Sequence, residues 1–308
     1  MTAPLVTVII PSFNHARYID TAINSVVSQT YANWELIIIY DGSSDDTALV
    51  LEKYVGVPRI QIVMNPVNRG QGVVVNQALG MSRGSFVCFL PSDDWYMPEK
   101  LALQVEKFLA SGPEVGVVYG RGVRFFEDGN EYVSPKAELF RGWVLRQLIE
   151  RNFVYPITPM FRRECFERFP FDESYRAEGE AIYRKLAIRY QFDYVDEVVG
   201  VMRDHSSNTG KNVELMYDDN LRYWREFFAR TDLPDDIRRM KGARIAALQR
   251  LKGLELVLLR RRGREGRALL MEAIRGRARL AFDLRVLGAI VMSFLPVPVL
   301  AKLYPGPR

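Results

Sequence analysis

Short apolar runs alternate with longer amphipathic stretches through the first 120 residues, and this alternation limits the possible folds more than any other feature of the chain. The runs are strand-like and rich in valine and isoleucine: "VTVII", "ELIIIYDG", "IQIVMN", "GSFVCFL" and "VGVVYG". The stretches between them have helical periodicity, as where Ile19, Ile23 and Val26 fall on one face. This alternation predicts an α/β fold, with a mostly parallel sheet covered by helices on both faces.

The predicted strands end in polar, turn-forming segments. These segments are "PSFN", "YDGSSDD", "NPVNRG" and "PSDDW". Ligands of open α/β sheets bind beyond the carboxyl ends of the strands, so we expect a binding site at this edge. The segment after the first strand contains no GxGxxG, which argues against a dinucleotide-dependent oxidoreductase.

The pattern is looser after residue 120. "VRFFEDGNEYVS" predicts a hairpin with Asp-Gly-Asn at its tip, and "RGWVLRQLIERN" and "AEGEAIYRKLAIRY" predict helices. "FDYVDEVVGVMRDHSSNTG" predicts one or two strands followed by a polar loop. From about residue 213 the chain is expected to be mostly helical.

Charge is distributed unevenly around a net value of +5, with many acidic residues in 1–110 and dense arginine in 222–285. This asymmetry predicts an anionic partner for the C-terminal region. The patterns of known nucleic-acid-binding modules are absent, so nucleic acid is not the expected partner. Cys88 and Cys165 have no metal-binding spacing and are expected to be small core residues in a reducing compartment.

The apolar segments at the two ends predict neither a signal peptide nor a transmembrane helix. "MTAPLVTVIIPSFN" lacks a basic region before its strand-length apolar run. "VLGAIVMSFLPVPVLAKLY" contains two prolines and is short of the ~20 apolar residues that a span requires. The basic C-terminal region either lies on an anionic membrane surface or packs on the rest of the protein or a partner. The expected location is cytoplasmic, at the inner face of the cell membrane in the first case.

Taken together, three stretches resemble the nucleotide-sugar transferases of glycosyltransferase family two. They are "VTVIIPSFNHARYIDTAINSVVSQTYANWELIIIYDGSSDDT", "NRGQGVVVNQALGMSRGSFVCFLPSDDWYMPEKL" and "FDESYRAEGEAIYRKLA" with "MRDHSSNT". The resemblance implies a Rossmann-like GT-A fold, a Mn²⁺ or Mg²⁺ cofactor, a nucleotide-diphosphate sugar donor, with UDP as the default, and inversion at the anomeric carbon. It also implies a transferase domain at 1–212, with a nucleotide-binding half at 1–120 and an acceptor half at 121–212, followed by a helical region at 213–308.

Asp41 matches the family carboxylate that hydrogen-bonds the pyrimidine ring. A fixed acceptor at this position can pair with a ring N–H and so select the base. The alternative is a turn residue before Gly42. The resemblance places four more residues near the nucleotide: Pro11, Ser12, Asn14 and Arg69.

The segment "PSDD" matches the family's Asp-x-Asp metal motif, with Pro91 replacing the first carboxylate and Asp93 in the position of the metal ligand. A hard cation prefers oxygen ligands and would offset the repulsion between Asp93 and Asp94 while bridging to the diphosphate. Asp94 either caps the next helix or orients the acceptor.

Arg203 and His205 match the family's late Arg-x-His loop. The resemblance implies that His205 completes the coordination of the cation or donates to the diphosphate, and that Arg203 pairs with phosphate oxygens. The alternative for His205 is a surface histidine in a loop. His15, in contrast, is expected to pack at a helix start.

The catalytic base is the main departure from the family pattern, because Gly179 occupies its position. Glu178 and Glu180 flank this glycine, and either can supply the missing carboxylate. Both can also be ordinary residues of a first helical turn, where they complement the helix dipole. Tyr40, Pro91 and Gly179 each replace an expected carboxylate.

The acceptor side is less well defined. Trp143, Phe153 and Tyr155 can stack on a sugar ring, although aromatic residues at such spacings are more often core. The leading hypothesis is an inverting transferase that acts on a glycan or lipid-linked acceptor in surface polysaccharide or glycolipid synthesis. The alternative is a catalytically impaired protein that binds a sugar nucleotide or serves as a scaffold.

Overall fold

Nine strands are found in the part of the chain that the computed structural model describes, which is residues 3–128, 131–133, 138–175, 179–205, 208 and 213–299. They are β1 (Val6–Ser12), β2 (Trp34–Asp41), β3 (Ile60–Asn65), β4 (Phe86–Phe89), β5 (Trp95–Tyr96), β6 (Val115–Phe126), β7 (Glu131–Val133), β8 (Met160–Arg162) and β9 (Gln191–Asp204). The five strands predicted in the first 120 residues are all present, as β1 to β4 and β6.

Seven helices accompany these strands in the described residues before 212. They are α1 (Ile19–Val27), α2 (Thr47–Glu52), α3 (Gln71–Met81), α4 (Lys100–Leu109), α5 (Leu145–Glu150), α6 (Glu164–Arg168) and α7 (Ala181–Leu186). The four helices predicted between the first five strands are α1 to α4. Those predicted in "RGWVLRQLIERN" and "AEGEAIYRKLAIRY" are shorter, as α5 and α7.

The strands form one mixed sheet in the order β3-β2-β1-β4-β8-β6-β9-β5, with β7 paired to β6. The six longest strands run in the same direction, and only the short strands β5, β7 and β8 run against them. The prediction of a mostly parallel sheet is therefore confirmed. The antiparallel pairing of β6 with β7 also confirms the predicted hairpin, although its tip at 129–130 lies outside the described residues.

Burial on both faces explains why the central strands are continuous apolar runs. On one face, Val8, Ile10, Leu36 and Ile38 are fully buried in the main core. On the other face, Ile9 and Ile37 are buried as completely. Parallel strands whose two faces are both covered have no solvent side to which polar residues could be assigned. Polar residues are therefore found at the ends of these strands, where the loops begin.

The chain divides into two compact units, Met1–Lys211 and Asn212–Arg308. The second is helical: α8 (Val213–Ala229), α9 (Asp235–Arg238), α10 (Lys241–Leu258), α11 (Gly263–Gly276), a 3₁₀ helix (Ala278–Phe282) and α12 (Leu284–Met292). Val257, Leu270, Val286 and Ala289 are fully buried in its own small core. None of the helices in the described ranges is both long and apolar enough to cross a membrane.

Lys100 is an unusual core residue of the first unit because its side chain is fully buried. Its Nζ donates to Gln104 Oε1 and, over 2.8 Å, to the carbonyl oxygen of Thr158. The ammonium also lies 4.6 Å from the centre of the Tyr96 ring. Burial lowers the pKa of Lys100 to about 8, from a usual value of 10.5.

We predict that Lys100→Met changes how the free energy of unfolding depends on pH. Between pH 8 and 10.5 the unfolded wild-type chain binds more protons at this residue than the folded one, so its stability relative to Lys100→Met rises with pH. The relative gain is roughly 3 kcal/mol over this interval. Urea titrations of both proteins at pH 7, 9 and 10.5 measure it. A difference that is independent of pH would show that Lys100 keeps its ordinary pKa.

Candidate active site

The site begins where β1 and β2 end, and Asn14 joins the two loops. Asn14 has a positive φ of 54°, a conformation that asparagine tolerates better than most residues. Its backbone N–H donates to Ser43 Oγ over 2.9 Å, and its Oδ1 accepts from the backbone N–H of Ser44 over 2.7 Å. The turn after β1 is therefore fixed against the turn after β2.

Asp41, the last residue of β2, is buried and acts as a clamp on the loop that precedes α3. Its carboxylate accepts from the backbone N–H of Arg69 over 2.9 Å and from that of Gly70 over 3.1 Å. Asn65 Nδ2 adds a longer bond of 3.3 Å. The side chain of Arg69 is exposed and donates to Gln77 Oε1. Asp41 is thus tied to the "NRG" segment, a role that its position before a turn did not indicate.

Asp93 lies in the loop after β4, at the centre of a cluster drawn from distant parts of the chain. Its Oδ2 is 3.1 Å from His205 Nε2 and 3.3 Å from Asn208 Nδ2. His15 Nε2 is 4.0 Å from the same oxygen. His205 is buried, as is Asp93, so the alternative of a surface histidine in a loop is wrong.

His15 lies at the start of α1, as expected: its carbonyl oxygen accepts from the backbone N–H of Ile19, and its ring packs against Tyr18. The sequence did not indicate that this ring also turns toward Asp93. Its Nδ1 is 2.8 Å from Ser92 Oγ, and its backbone N–H donates to Thr47 Oγ1. Burial lowers the pKa of His15, which favours the neutral imidazole that can bind a metal. The signal available in the sequence was that the chain has only two histidines.

Asp94 is bonded to the end of β9 and not to the two histidines in the described residues. Its Oδ1 accepts from the backbone N–H of Arg203 over 2.8 Å. The helix-capping alternative for Asp94 is wrong, because α4 begins at Lys100 with Glu99 in the capping position. Burial, together with the adjacent charge of Asp93, raises the pKa of Asp94 well above its usual value.

Arg203 is packed among protein groups in this structure. Its Nε donates to the carbonyl oxygen of Asp93 over 3.1 Å, and Nη1 lies 3.7 Å from Glu127 Oε1. The guanidinium also lies within 5.6 Å of the centres of three aromatic rings, those of Tyr18, Trp95 and Phe125. Arg203 therefore positions both members of the aspartate pair.

The cluster around Asp93 fits a divalent cation. One carboxylate oxygen and two imidazole nitrogens, from Asp93, His15 and His205, lie within 4.8 Å of one another. Oxygen and imidazole ligands together suit Mn²⁺ and its neighbours in the first transition row, and Mg²⁺ less well. Pro91 replaces a carboxylate of the family pattern, and its carbonyl oxygen accepts from the backbone N–H of Asp94.

The other predicted residues are placed less decisively. Pro11 and Ser12 end β1, and the buried hydroxyl of Ser12 has no hydrogen-bond partner among the described residues. Glu180 is exposed directly before α7, whereas Glu178 lies outside the described residues. Trp143 is 60% exposed, whereas Phe153 is buried. Within the described ranges no hydrogen bond or ion pair joins Glu180 or Trp143 to Asp93.

We predict that Asp41→Asn loosens the loop before α3, since an amide group cannot accept from every backbone N–H that now faces the carboxylate. The expected loss of unfolding free energy is about 1–3 kcal/mol. Hydrogen exchange at residues 68–72 should become faster in the variant. Asp46→Asn is the matched control, because Asp46 is exposed and caps α2 without a side-chain hydrogen bond. Equal protection of residues 68–72 in both variants would show that Asp41 does not hold this loop.

Comparison with solved structures places this architecture among glycosyltransferases of the GT-A type. Residues covering 97% of this chain superpose on 91% of Staphylococcus aureus TarS 1–349 in complex with UDP-GlcNAc, with a TM-score of 0.67 and 18% identity. A mannosyltransferase from Pyrobaculum calidifontis, in complex with GDP-Man and Mn²⁺, gives a TM-score of 0.61 at 17% identity, over 99% of this chain and 88% of the other. The predicted fold class is confirmed.

Curated relatives match shorter segments. A putative teichuronic acid biosynthesis glycosyltransferase of Bacillus subtilis is 41% identical over 104 residues, 33% of this chain and 41% of its own length. An Escherichia coli UDP-Glc:alpha-D-GlcNAc-diphosphoundecaprenol beta-1,3-glucosyltransferase is 37% identical over 116 residues, 38% of this chain and 45% of its own length. The chain thus matches less than half of the length of either relative. The model of the glycosyl transferase family 2 matches residues 7–190, and the chain belongs to this family.

Proposed function

We propose that this protein is an inverting, metal-dependent glycosyltransferase that moves a sugar from a UDP-sugar to a glycan or lipid-linked acceptor in the synthesis of a surface polysaccharide or glycolipid. The observation that carries the proposal is the convergence of Asp93 and His205, 3.1 Å apart, at the carboxyl edge of the sheet. Two solved structures with the same fold are complexes with a nucleotide-sugar, one of which also contains Mn²⁺.

The nucleotide-sugar would lie along the ends of β1, β2 and β4. Asp41 would offer a hydrogen-bond acceptor to the base. The hydroxyl of Ser12, which has no partner among the described residues, would offer a hydrogen-bond donor, and Pro11 and Asn14 would shape the turn beside it. Asp93 and His205 would hold a divalent cation, which would neutralise the diphosphate and stabilise it as a leaving group. Arg203 keeps Asp93 in place by donating from Nε to the backbone carbonyl oxygen of Asp93.

Inverting transfer requires a base that takes the proton of the acceptor hydroxyl. We assign this role to Glu180, with Glu178 as the alternative. Glu180 is exposed beside Gly179, whose φ of 45° lies in the left-handed region that favours glycine. Exposed Trp143 would supply an aromatic surface for the acceptor sugar.

We predict a thermal shift with UDP and Mn²⁺ together that exceeds the shift with either alone. Ligand that binds only the folded protein raises its stability, by about 2.7 kcal/mol at a concentration of 100 Kd. The shift should be lost in Asp93→Ala and kept in the matched control Asp46→Asn. GDP, dTDP and CMP serve as competing nucleotides. The absence of a Mn²⁺-dependent shift with any nucleotide would contradict the proposed site.

We predict that Glu180→Gln separates binding from chemistry. The variant should keep the shift with UDP and Mn²⁺, since Glu180 has no contact with Asp93 in the described residues. Transfer to an acceptor mixture should fall by 10²- to 10⁴-fold, the usual contribution of a general base. If the single variant Glu180→Gln keeps full transfer and the single variant Glu178→Gln is inactive, the role of the base belongs to Glu178. If the wild-type protein binds UDP-sugars but neither transfers nor hydrolyses them, the alternative of a catalytically impaired sugar-nucleotide-binding protein is correct.

We further propose that the C-terminal unit docks on an anionic membrane surface, where a lipid-linked acceptor would be found. α12 packs Val286 and Ala289 into the core of that unit while Leu284, Leu287 and Val291 are exposed on another face. Phe294 continues this apolar face at helical spacing, and Phe282 precedes it at 85% exposure. Basic residues lie beside it in sequence, without an ion pair in the described residues: Arg275, Arg277, Arg279 and Arg285.

Vesicle sedimentation tests this docking. We predict that the protein binds vesicles of anionic phosphatidylglycerol and not vesicles of phosphatidylcholine. Replacing Arg277, Arg279 and Arg285 by glutamine should weaken binding by about 3 kcal/mol, roughly a hundredfold. The double variant Leu284→Ser with Val291→Ser should also weaken binding. The matched control is the double variant Leu49→Ser with Val55→Ser on the first unit, which should bind as the wild type does. Equal binding by all variants would exclude this surface.

A further inference from the structure

The two histidines of the chain meet at one point although 190 positions separate them in sequence. Their ring centres are 6.0 Å apart, and both Nε2 atoms lie near Asp93 Oδ2, at 3.1 Å for His205 and 4.0 Å for His15. His205 is held by its stack on Tyr18, with ring centres 4.8 Å apart. The expected family pattern accounts for Asp93 and His205 but assigns nothing to His15.

The contacts of His15 orient its ring with one nitrogen toward the cluster. Nδ1 is hydrogen-bonded to the buried Ser92 Oγ, and Thr47 Oγ1 holds the backbone. With the ring proton on Nδ1, the lone pair of Nε2 faces Asp93. The Nε2–Oδ2 separation of 4.0 Å is too long for a hydrogen bond. No hydrogen-bond partner of His15 Nε2 occurs within the described part of the chain.

Two of the spacings among these atoms are those of ligands around one cation. Two ligands that each lie about 2.1 Å from a shared ion are about 3 Å apart when adjacent and about 4.2 Å apart when opposite. The 3.1 Å and 4.0 Å separations from Asp93 Oδ2 fall within this range, and all three ligand atoms lie within 4.8 Å of one another, so a small side-chain adjustment would bring them around one ion. A purely structural role for His15 would explain the bond to Ser92 but not why the ring turns Nε2 toward a buried carboxylate.

We propose that His15 is the third protein ligand of the cation and that Ser92 is a positioning residue which fixes its ring. The proposal rests on the cation site of the proposed function and adds a consequence for metal choice. Two imidazoles and one carboxylate oxygen favour Mn²⁺, Fe²⁺, Co²⁺ or Zn²⁺ over Mg²⁺, which prefers an all-oxygen shell.

Histidine ring nitrogens provide a direct test, because an untagged chain of these 308 residues has only two imidazole rings to assign. A long-range ¹H–¹⁵N spectrum should show the Nε2 signals of both rings shifting together as diamagnetic Zn²⁺ is added to one equivalent. Mg²⁺ at the same concentration should leave the His15 signal in place. A Zn²⁺ shift confined to His205 would overturn the proposal and leave the proposed function intact.

Calorimetric titrations with Mn²⁺ and Mg²⁺ on variants measure the effect on selectivity. His15→Gln should weaken Mn²⁺ binding at least tenfold, and Ser92→Ala should weaken it less while lowering the fraction of His15 in the oriented tautomer. His15→Asp, which keeps a ligand but makes it oxygen, should reduce the Mn²⁺/Mg²⁺ affinity ratio by about tenfold. His205→Gln is the reference for a lost ligand, and circular dichroism of each metal-free variant verifies folding.

The outcomes separate the two proposals. Mn²⁺ binding that is equal in wild type and His15→Gln, with folding intact, would overturn the role of His15 alone. Failure of the wild type to bind any of these cations would overturn both the role of His15 and the metal dependence. Nucleotide binding without metal would then show which part of the proposed function survives.

Discussion

The burial of two adjacent carboxylates at the end of β4 is the constraint on which the rest of the site depends. Asp93 and Asp94 repel each other, and removal from water adds to the cost of their charges. The fold gives the two carboxylates different partners. Asp94 receives the backbone N–H of Arg203, whereas Asp93 faces two imidazoles and the amide of Asn208. β9 is thereby tied to the loop after β4, and the last strand of the sheet becomes part of the candidate active site.

A second set of contacts ties the strand ends to one another. Asn14 connects the first two turns, and Asp41 connects the second turn to the loop before α3. Gly42 permits this close approach, because a Cβ atom at its position would lie 2.6 Å from the carbonyl carbon of Val67. These bonds are made by backbone N–H groups that would otherwise lack partners at the sheet edge. Preorganisation of this kind reduces the entropy that ligand binding costs.

The C-terminal unit poses a different physical problem, since α12 is apolar on more than one face. Its packed face completes a small core with α10 and α11, and Asp283 caps the helix while pairing with Arg250. The exposed apolar side chains gain nothing from this packing. An exposed apolar face, next in sequence to arginines without an ion pair in the described residues, is typical of helices that lie in a membrane interface. A protein that rests on a membrane through this face would be near an acceptor that carries a lipid.

Periodicity and turn chemistry determined the α/β class, the positions of the first five strands along the chain and the location of the polar edge, because burial on a strand or helix is a local property of the sequence. The family pattern also identified Asp41, Asp93 and His205 as candidate site residues. The pairing of β8 between β4 and β6, the loop contacts of Asp41 and the approach of His15 to Asp93 were decided only by the tertiary structure. β8 is three residues long and too short for a period to be visible. The position of His15 depends on the distance between strand ends, which sequence spacing does not encode.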